Sequence, residues 1–372
     1  MKGFWVFKSI TVSLLLILPL HLFANQTIKI DDKNLEYEVK GDGALTVLFD
    51  AGALTGMAGW DSLWDRLPDN ITAFRFSRLG EGQSDMCEGQ RTNDEHVGEV
   101  KSLVNALKIE TPFLYVGHSL GGATARNYAS TFPDEVLGML LVDPENPRDI
   151  EIINEIDPIN GPNEIAAIKK NDYELSDGRW CFLDAIWSKK AAKDYHDIGD
   201  IPVTLIATTM KHNNPQMIFN SDVGRKRWGE IQQDWVKTFP QGEFIATSKS
   251  GHYIQQSEPQ LVLNELSKLI ERVERQTKDF DISGRWIHST KPVIIQFNME
   301  SNEAFVLRHD EANSDGLNII KNIKQHKGTD SQWKGEMFDG YQGKYVNVNI
   351  LKSNNELTVF TEDGTEVLKL LR

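Results

Sequence analysis

Residues 113–122 read FLYVGHSLGG, and this stretch decides the fold of the region around it. Strand-forming residues at 113–116 lead into the turn GHSLG at 117–121, and a helical pattern of small and apolar residues follows. A G-x-S-x-G segment in the order strand, tight turn, helix exposes its serine at a sharp bend. A Cβ atom at Gly117 or Gly121 would collide with a neighbouring strand or helix. The segment therefore predicts that Ser119 lies in strained backbone at the start of a helix.

A serine in this position is a candidate nucleophile. Free N–H groups and the dipole at a helix N-terminus favour a developing oxyanion. Such a serine also needs a base, an acid that orients the base, and donors for the oxyanion. The expected order along the chain is serine, acid, histidine.

His252 is the predicted base among the nine histidines of the chain. It follows a strand-like run at 243–247 and a polar loop, and it precedes a helical pattern that begins near Leu261. A histidine in a loop between a late strand and a closing helix can reach over the edge of a sheet to the serine. His118, inside the turn, is predicted to pack or to support the oxyanion instead.

Residues 28–273 resemble the enzymes of the α/β-hydrolase fold. The strand at 46–49 and the loop at 50–53, DAGA, resemble the strand and oxyanion loop that often read His-Gly-x, with Asp50-Ala51 in place of the usual start. Residues 74–85, FRFSRLGEGQSD, resemble the strand and D-R-x-G-x-G-x-S turn, with Ser77 in place of the aspartate. The resemblance implies that the backbone N–H groups of Ala53 and Leu120 form the oxyanion hole, where each donor lowers the barrier by about 3 kcal/mol.

The acid has several candidates. In this family it usually follows the strand at 203–207, but the loop here, TTMKHNNP at 208–215, contains no carboxylate. Some members take the acid from the end of the preceding strand, and Asp143 fits that position. The carboxyl ends of parallel strands gather functional groups in open α/β sheets. Asp143 is therefore the predicted acid, with Asp222 and Glu145 as alternatives.

Residues 25–278 form the predicted hydrolase domain. Apolar strands alternate with amphipathic helices, a pattern that predicts an α/β fold with a mainly parallel sheet and helices on both faces. The predicted strands are 46–49, 71–76, 113–116, 136–142, 203–207 and 242–247, and helices are predicted at 96–107 and 121–131. The alternation breaks at about 144–200, where the resemblance implies a helical cap over the serine. Its aromatic residues either line a substrate pocket or pack the cap onto the body.

Residues 279–372 form a second predicted domain. Short alternating segments separated by Gly- and Asn-rich turns predict an antiparallel β barrel or sandwich. The predicted strands are 284–287, 293–297, 304–307, 345–350 and 356–360. The segments DISGRW at 281–286 and WKG at 333–335 loosely resemble small lipocalin-like barrels of secreted bacterial proteins. Trp286 and Trp333 are predicted core residues, and no catalytic constellation is found in this part of the sequence.

The N-terminus predicts export. Lys2 and Lys8 precede an apolar run, and Phe23-Ala24 offers a small residue for cleavage, so residues 1–24 are predicted to be a signal peptide. An uncleaved anchor is the alternative, but the apolar run is short for a membrane span. The expected location is secreted or periplasmic, and no stable membrane span is expected after processing. In an oxidising compartment Cys87 and Cys181 can form a disulfide, with two buried free thiols as the alternative.

Composition limits the partners. The formal net charge of −14 repels polyanions, so nucleic acid is not an expected partner. No cysteine ligand cluster or cofactor fingerprint is present, so neither a metal nor a cofactor is expected, and the sequence does not define an oligomeric state.

The resemblance implies a serine hydrolase that cleaves a carboxylic ester, thioester or lactone through an acyl-enzyme on Ser119. An ester is favoured because an amine leaving group makes a harder demand on the general acid. The alternatives are an aminopeptidase or amidase of the same fold, and a non-catalytic, hydrolase-like binding protein that has lost its acid.

Overall fold

The structure is a computed structural model that describes residues 26–176, 180–188, 198–309, 314–326, 331–353 and 355–372, with the backbone alone for 276–280. The predicted signal peptide, residues 1–24, lies outside the described residues, as do residues 177–179 and 189–197 of the predicted cap. Among the described residues, no helix combines the length and apolar character that a membrane crossing requires.

The first part of the chain folds around an eight-stranded sheet in the order β1-β2-β4-β3-β5-β6-β7-β8. Strands β3 to β8 are mutually parallel, and β1 and β2 are added at one edge as antiparallel strands. The strands are β1 (Gln26–Ile30), β2 (Lys33–Lys40), β3 (Leu45–Asp50), β4 (Ile71–Phe76), β5 (Phe113–His118), β6 (Val136–Val142), β7 (Pro202–Thr208) and β8 (Gln241–Thr247). Strands β1 and β2 were absent from the predicted set because their alternating charged residues lack an apolar run.

Helices cover both faces of this sheet. They are α1 (Asp61–Trp64), α2 (Asn93–Ala106), α3 (Leu120–Thr131), α4 (Asp149–Ile156), α5 (Gly161–Ser176), α6 (Leu183–Ser188), α7 (Asp222–Val236), α8 (Ile254–Ser257) and α9 (Pro259–Phe280). Alternate residues of β5 belong to opposite cores: Phe113 and Tyr115 pack with α2, α3 and α7, whereas Leu114 and Val116 pack with α1, α8 and α9. This alternation follows from the two-residue period of a strand. The predicted α/β fold is confirmed.

The described part of the predicted cap is helical. Helices α4, α5 and α6 follow β6, and the segment leading into α6 is joined to the body by a disulfide between Cys87 and Cys181, whose Cα atoms are 6.0 Å apart. Of the two states left open for these cysteines, the structure contains the bonded one. The disulfide connects the turn after β4 with the cap across 94 residues of sequence.

The C-terminal part is a closed antiparallel barrel of eight strands, so the barrel, and not the sandwich, is the architecture found. The strands are β9 (Gly284–His288), β10 (Ile294–Asn298), β11 (Glu303–Arg308), β12 (Asn318–Gln325), β13 (Gln332–Asp339), β14 (Lys344–Ser353), β15 (Glu356–Thr361) and β16 (Glu366–Leu371). Trp286 and Trp333 are buried in its core. The prediction lacked β12, β13 and β16. In β12 the pairing shifts between Lys321 and Lys324, which breaks the two-residue alternation.

Candidate active site

Ser119 lies between the end of β5 and the start of α3. Its backbone angles, φ 52° and ψ −117°, fall in a region that residues other than glycine rarely adopt. A Cβ atom on Gly117 would lie 2.4 Å from the carbonyl oxygen of Gly121, and one on Gly121 would lie 2.2 Å from that of Asp50. The collisions expected at both glycines are confirmed. These contacts bring β3, β5 and α3 together at the serine.

The three residues predicted to form the catalytic group are joined by hydrogen bonds. His252 Nε2 is 3.0 Å from Ser119 Oγ, and His252 Nδ1 is 2.7 Å from Asp143 Oδ2. Because the carboxylate can only accept, Nδ1 carries the proton and the lone pair of Nε2 faces the serine hydroxyl. This arrangement allows the imidazole to remove the serine proton while the carboxylate stabilises the resulting positive charge.

Asp143 is held by two further donors. The backbone N–H of Thr208 and the indole N–H of Trp228 donate to Oδ1 at 3.0 and 2.8 Å, which leaves Oδ2 for His252. The carboxylate is 2% exposed. The alternative acid Asp222 is instead an exposed ion-pair partner of Lys211. The structure therefore brings Asp143, and not Asp222, to His252.

Glu145, the other alternative acid, lies two residues after Asp143. Its backbone N–H donates to the carbonyl oxygen of Ser119 at 2.9 Å, which helps to hold the turn. The hydrogen bond from the ring nitrogen Nδ1 of His252 goes to Asp143.

The loop that carries His252 connects β8 to α8 and is closed by Glu258. The hydroxyls of Thr247 and Ser250 both donate to Glu258 Oε2, at 2.5 and 2.6 Å. Burial raises the pKa of Glu258, but the two hydroxyl bonds and the charge of Lys249 together outweigh it, so the pKa is lowered overall. The charged carboxylate thus ties both ends of the segment that precedes His252.

His118 supports the loop that carries His252. It is buried, its Nε2 donates to the backbone carbonyl of His252 at 3.0 Å, and the two ring centroids are 4.7 Å apart. Burial, and then repulsion from the His252 ring whenever that ring is protonated, lower the pKa of His118 well below its ordinary value. The neutral imidazole that results positions the base. Of the two roles predicted for His118, packing describes these contacts.

The predicted oxyanion residues both pack in one apolar cluster with residues of the cap. Leu120 is buried in a cluster with Cys181, Phe182 and Ala185, and Ala53 packs against this cluster. Leu120 is the first residue of α3, so its N–H has no partner within the helix. The role of the Ala53 and Leu120 N–H groups as oxyanion donors stays a prediction.

Comparison with known proteins agrees with the fold described above. Residues 47–179 match the family model described as alpha/beta hydrolase fold. This region therefore has the α/β-hydrolase fold. A crystal structure of a lipase candidate from Acinetobacter baumannii superposes with a TM-score of 0.51 at 16% identity, covering 68% of this chain and 92% of that one. At this identity the likeness concerns the fold alone.

Curated relatives match a part of this chain. The protein YqjL of Bacillus subtilis, whose function is uncharacterised, is 33% identical over 105 residues, or 28% of this chain and 42% of that protein. The 2-hydroxy-6-oxo-6-phenylhexa-2,4-dienoate hydrolase of Comamonas testosteroni is 32% identical over 130 residues, or 31% of this chain and 43% of that enzyme. This chain thus spans less than half of the length of these relatives.

Metal binding has no candidate in the described part of the hydrolase domain or of the barrel. No group of three or more His, Cys, Asp or Glu side chains among these residues is arranged to hold an ion.

The backbone strain at Ser119 should be measurable as a difference in the free energy of unfolding between two variants. We expect Ser119→Gly to be about 1 kcal/mol more stable than Ser119→Ala, because glycine adopts a positive φ without a Cβ penalty. Both variants lack the hydroxyl, so the comparison isolates the backbone. Urea unfolding followed by circular dichroism measures the difference, and equal midpoints would contradict the proposed strain.

Two buried neutral histidines predict a pH-dependent stability. Burial is the largest cause that lowers the pKa of both His96 and His118, so the folded hydrolase domain binds fewer protons than the unfolded chain. The contribution of these histidines to the free energy of unfolding is then fully present above the unfolded-state pKa of about 6.5. It falls as the pH drops below that pKa, by up to about 1.4 kcal/mol per pH unit for each histidine.

Urea midpoints between pH 7.5 and 5.0 test this expectation. His118→Gln keeps an N–H donor but removes one titrating group, so its stability should fall less steeply than that of the wild type over this range. The same substitution at the exposed His212 is the control for loss of a histidine elsewhere. An identical slope in the wild type and His118→Gln would contradict the expectation.

Proposed function

We propose that this chain is a secreted serine hydrolase that cleaves a carboxylic ester, thioester or lactone through an acyl-enzyme on Ser119. The observation that carries the proposal is the continuous hydrogen-bonded series from Asp143 through His252 to the hydroxyl of Ser119. A series of this kind has the geometry that raises the nucleophilicity of a serine.

The reaction follows from the positions of these atoms. Ser119 Oγ attacks the carbonyl carbon as His252 Nε2 takes its proton, and the oxyanion lies near the N–H groups of Ala53 and Leu120. The C–O or C–S bond breaks as the imidazolium returns the proton to the leaving group. Water then attacks the acyl-enzyme with His252 as base, which releases the acid and restores the serine.

The substrate class rests on chemical argument and on the relatives. The names of the Comamonas relative and of a second relative, the 2-(acetamidomethylene)succinate hydrolase of Mesorhizobium japonicum, support hydrolysis. They do not decide between ester and amide, and an aminopeptidase or amidase activity is the alternative. We favour an ester because an alcohol or thiol leaves with less help from the general acid than an amine.

The non-catalytic alternative has lost its main support. It was suggested by the lack of a carboxylate in the loop after β7. In the structure Asp143, directly after β6, offers its carboxylate to His252, and Thr208 at the end of β7 donates its N–H to that carboxylate.

Export is part of the same proposal. The charged, apolar and cleavage regions of residues 1–24 support a signal peptide. The disulfide between Cys87 and Cys181 supports an oxidising compartment, since such bonds are rare in reducing ones.

A panel of p-nitrophenyl esters of graded acyl length, assayed beside aminoacyl p-nitroanilides, tests the function. We expect turnover of at least one ester by the wild type, loss of that turnover in Ser119→Ala, and kcat/KM values for the anilides at least 100-fold lower. Faster turnover of an anilide would favour the amidase alternative. No turnover of either class by folded protein would overturn the proposal.

A further inference from the structure

A buried ion pair lies directly under the loop that carries one predicted oxyanion donor. The oxyanion loop is defined here as residues 50–54, DAGAL, which begin at the last residue of β3. Arg78 and Glu81, from the turn after β4, are 1% and 5% exposed and contact each other at 3.3 Å. Both side chains also bind the backbone of the oxyanion loop.

Arg78 binds the loop on one side of Ala53. Its guanidinium donates to the carbonyl oxygens of Ala51 and Gly52, the latter at 3.3 Å, and pairs with the carboxylate of Asp50. The Gly52 carbonyl belongs to the same peptide unit as the Ala53 N–H. Because C=O and N–H point in opposite directions in a trans peptide, fixing the carbonyl on Arg78 fixes the direction of the N–H. A charged donor on the carbonyl also polarises that N–H.

Glu81 binds the loop on the other side of Ala53. Its Oε1 accepts the backbone N–H of Leu54 at 2.7 Å, and Leu54 has a positive φ of 67°. A non-glycine residue in this conformation needs support from its surroundings. Arg78 therefore holds the peptide unit before Ala53, and Glu81 holds the peptide unit after it.

A neutral side chain assists the pair. The hydroxyl of Thr55 donates to the Gly52 carbonyl at 2.8 Å, which is a shorter contact than that of Arg78. Removal of this hydroxyl therefore disturbs the same peptide unit without disturbing any buried charge.

The cap closes this region from water. The ring of Phe182, next to the disulfide, lies 5.7 Å from the guanidinium carbon of Arg78 and 5.1 Å from the ring of His96. Burial raises the pKa of Asp50, but the charge of Arg78 and the contacts with His96 and Tyr115 outweigh it, so the pKa is lowered and the ion pair is maintained. Electrostatic interactions are stronger in such a water-excluded site.

We infer that Arg78 and Glu81, assisted by Thr55, are positioning residues that orient and polarise the Ala53 N–H toward the oxyanion. This inference rests on the proposed function, because it concerns the transition state of that reaction. Removal of any of these contacts is then expected to destabilise the tetrahedral transition state and to change the binding of the intact ester little.

Four conservative variants provide the test: Arg78→Lys, Glu81→Gln, Thr55→Val and, as matched control, Arg75→Lys. Lysine keeps the charge but cannot form the same fork of bonds. Arg75 is also buried and paired, with Glu38 and Asp61, and its backbone partner is the carbonyl of Met57, outside the oxyanion loop. Glu81→Gln and Thr55→Val keep the buried volume if Arg78→Lys fails to fold.

The measured quantities are kcat, KM and the inhibition constant of an aryl trifluoromethyl ketone, which forms a tetrahedral oxyanion on a reactive serine. We expect the three test variants to lower kcat by about 10- to 100-fold, to change KM less than threefold and to weaken the ketone by a factor similar to that in kcat. Arg75→Lys should leave kcat and the ketone constant within threefold of wild type.

Two outcomes overturn the inference. Either the folded test variants keep kcat and ketone affinity within twofold of wild type, or Arg75→Lys loses as much as they do. The proposed function fails in a different way, since it requires that the wild type itself hydrolyses an ester. A wild type that turns over esters while the variants behave like it would sink the positioning role alone.

Discussion

Replacing His252 with alanine is expected to lower kcat for the best ester of the panel by about a million-fold. The imidazole is the group within hydrogen-bond distance of Ser119 Oγ that can take its proton. Groups that act as one unit are strongly non-additive, so Ser119→Ala should cost about as much, and the double variant should be no slower than either single one.

The contrast between single and double variants is the informative result. Initial rates with purified, folded protein give all three values on one substrate, and circular dichroism checks the fold. If the double variant were slower than the wild type by the product of the two single losses, Ser119 and His252 would act independently. The proposed proton transfer between them would then be wrong.

Asp143→Asn is expected to lower kcat by about 10,000-fold with little loss of folded protein. The carboxylate accepts the Nδ1 proton of His252, which keeps the Nε2 lone pair on the serine. An amide at this position can donate to Nδ1, which favours the wrong tautomer. Thr208 and Trp228 can still bind the amide oxygen, so the fold should survive.

The matched control is Asp222→Asn, the same change at the exposed alternative acid. We expect it to leave kcat within twofold of wild type. Equal losses in the two variants, or a full rate in Asp143→Asn, would move the acid away from Asp143. Glu145→Gln would then be the next variant to measure.

The central strands of the sheet were predictable because they are buried on both faces. Strand β6 was predicted at 136–142 and is found at Val136–Val142, since a parallel strand between two helical layers reads as a continuous apolar run. Strand β2 has one buried pair and otherwise partly or fully exposed residues, so no such run marks it. The edge of the sheet was therefore missed.

Some strands of the barrel were also missed, for a different reason. Strand β13 carries Lys334, Gly335 and Glu336, and β16 reads EVLKLL, which has no strict alternation. Their assignment depends on pairing with neighbours, as when Trp333 lies opposite Ile350 of β14. Pairing of this kind is tertiary information that a local pattern does not contain.

In the candidate site, the residues that carry chemistry were predictable and those that hold them were not. Ser119 is marked by a turn with strict glycine requirements, and His252 by its position after a late strand. Trp228 lies 85 residues from Asp143 on α7, where it resembles any apolar helix residue. Arg78 was visible as part of the turn motif, but its bonds to the oxyanion loop depend on how β3 and β4 lie together.

Reaction with a fluorophosphonate probe reports whether Ser119 is an activated nucleophile. Intact-mass spectrometry followed by peptide mapping should show one adduct per molecule of wild type, located on Ser119. The adduct should be absent from Ser119→Ala and form at least 1,000-fold more slowly in His252→Ala. Folded wild type that forms no adduct, or that carries it on a different serine, would contradict the account.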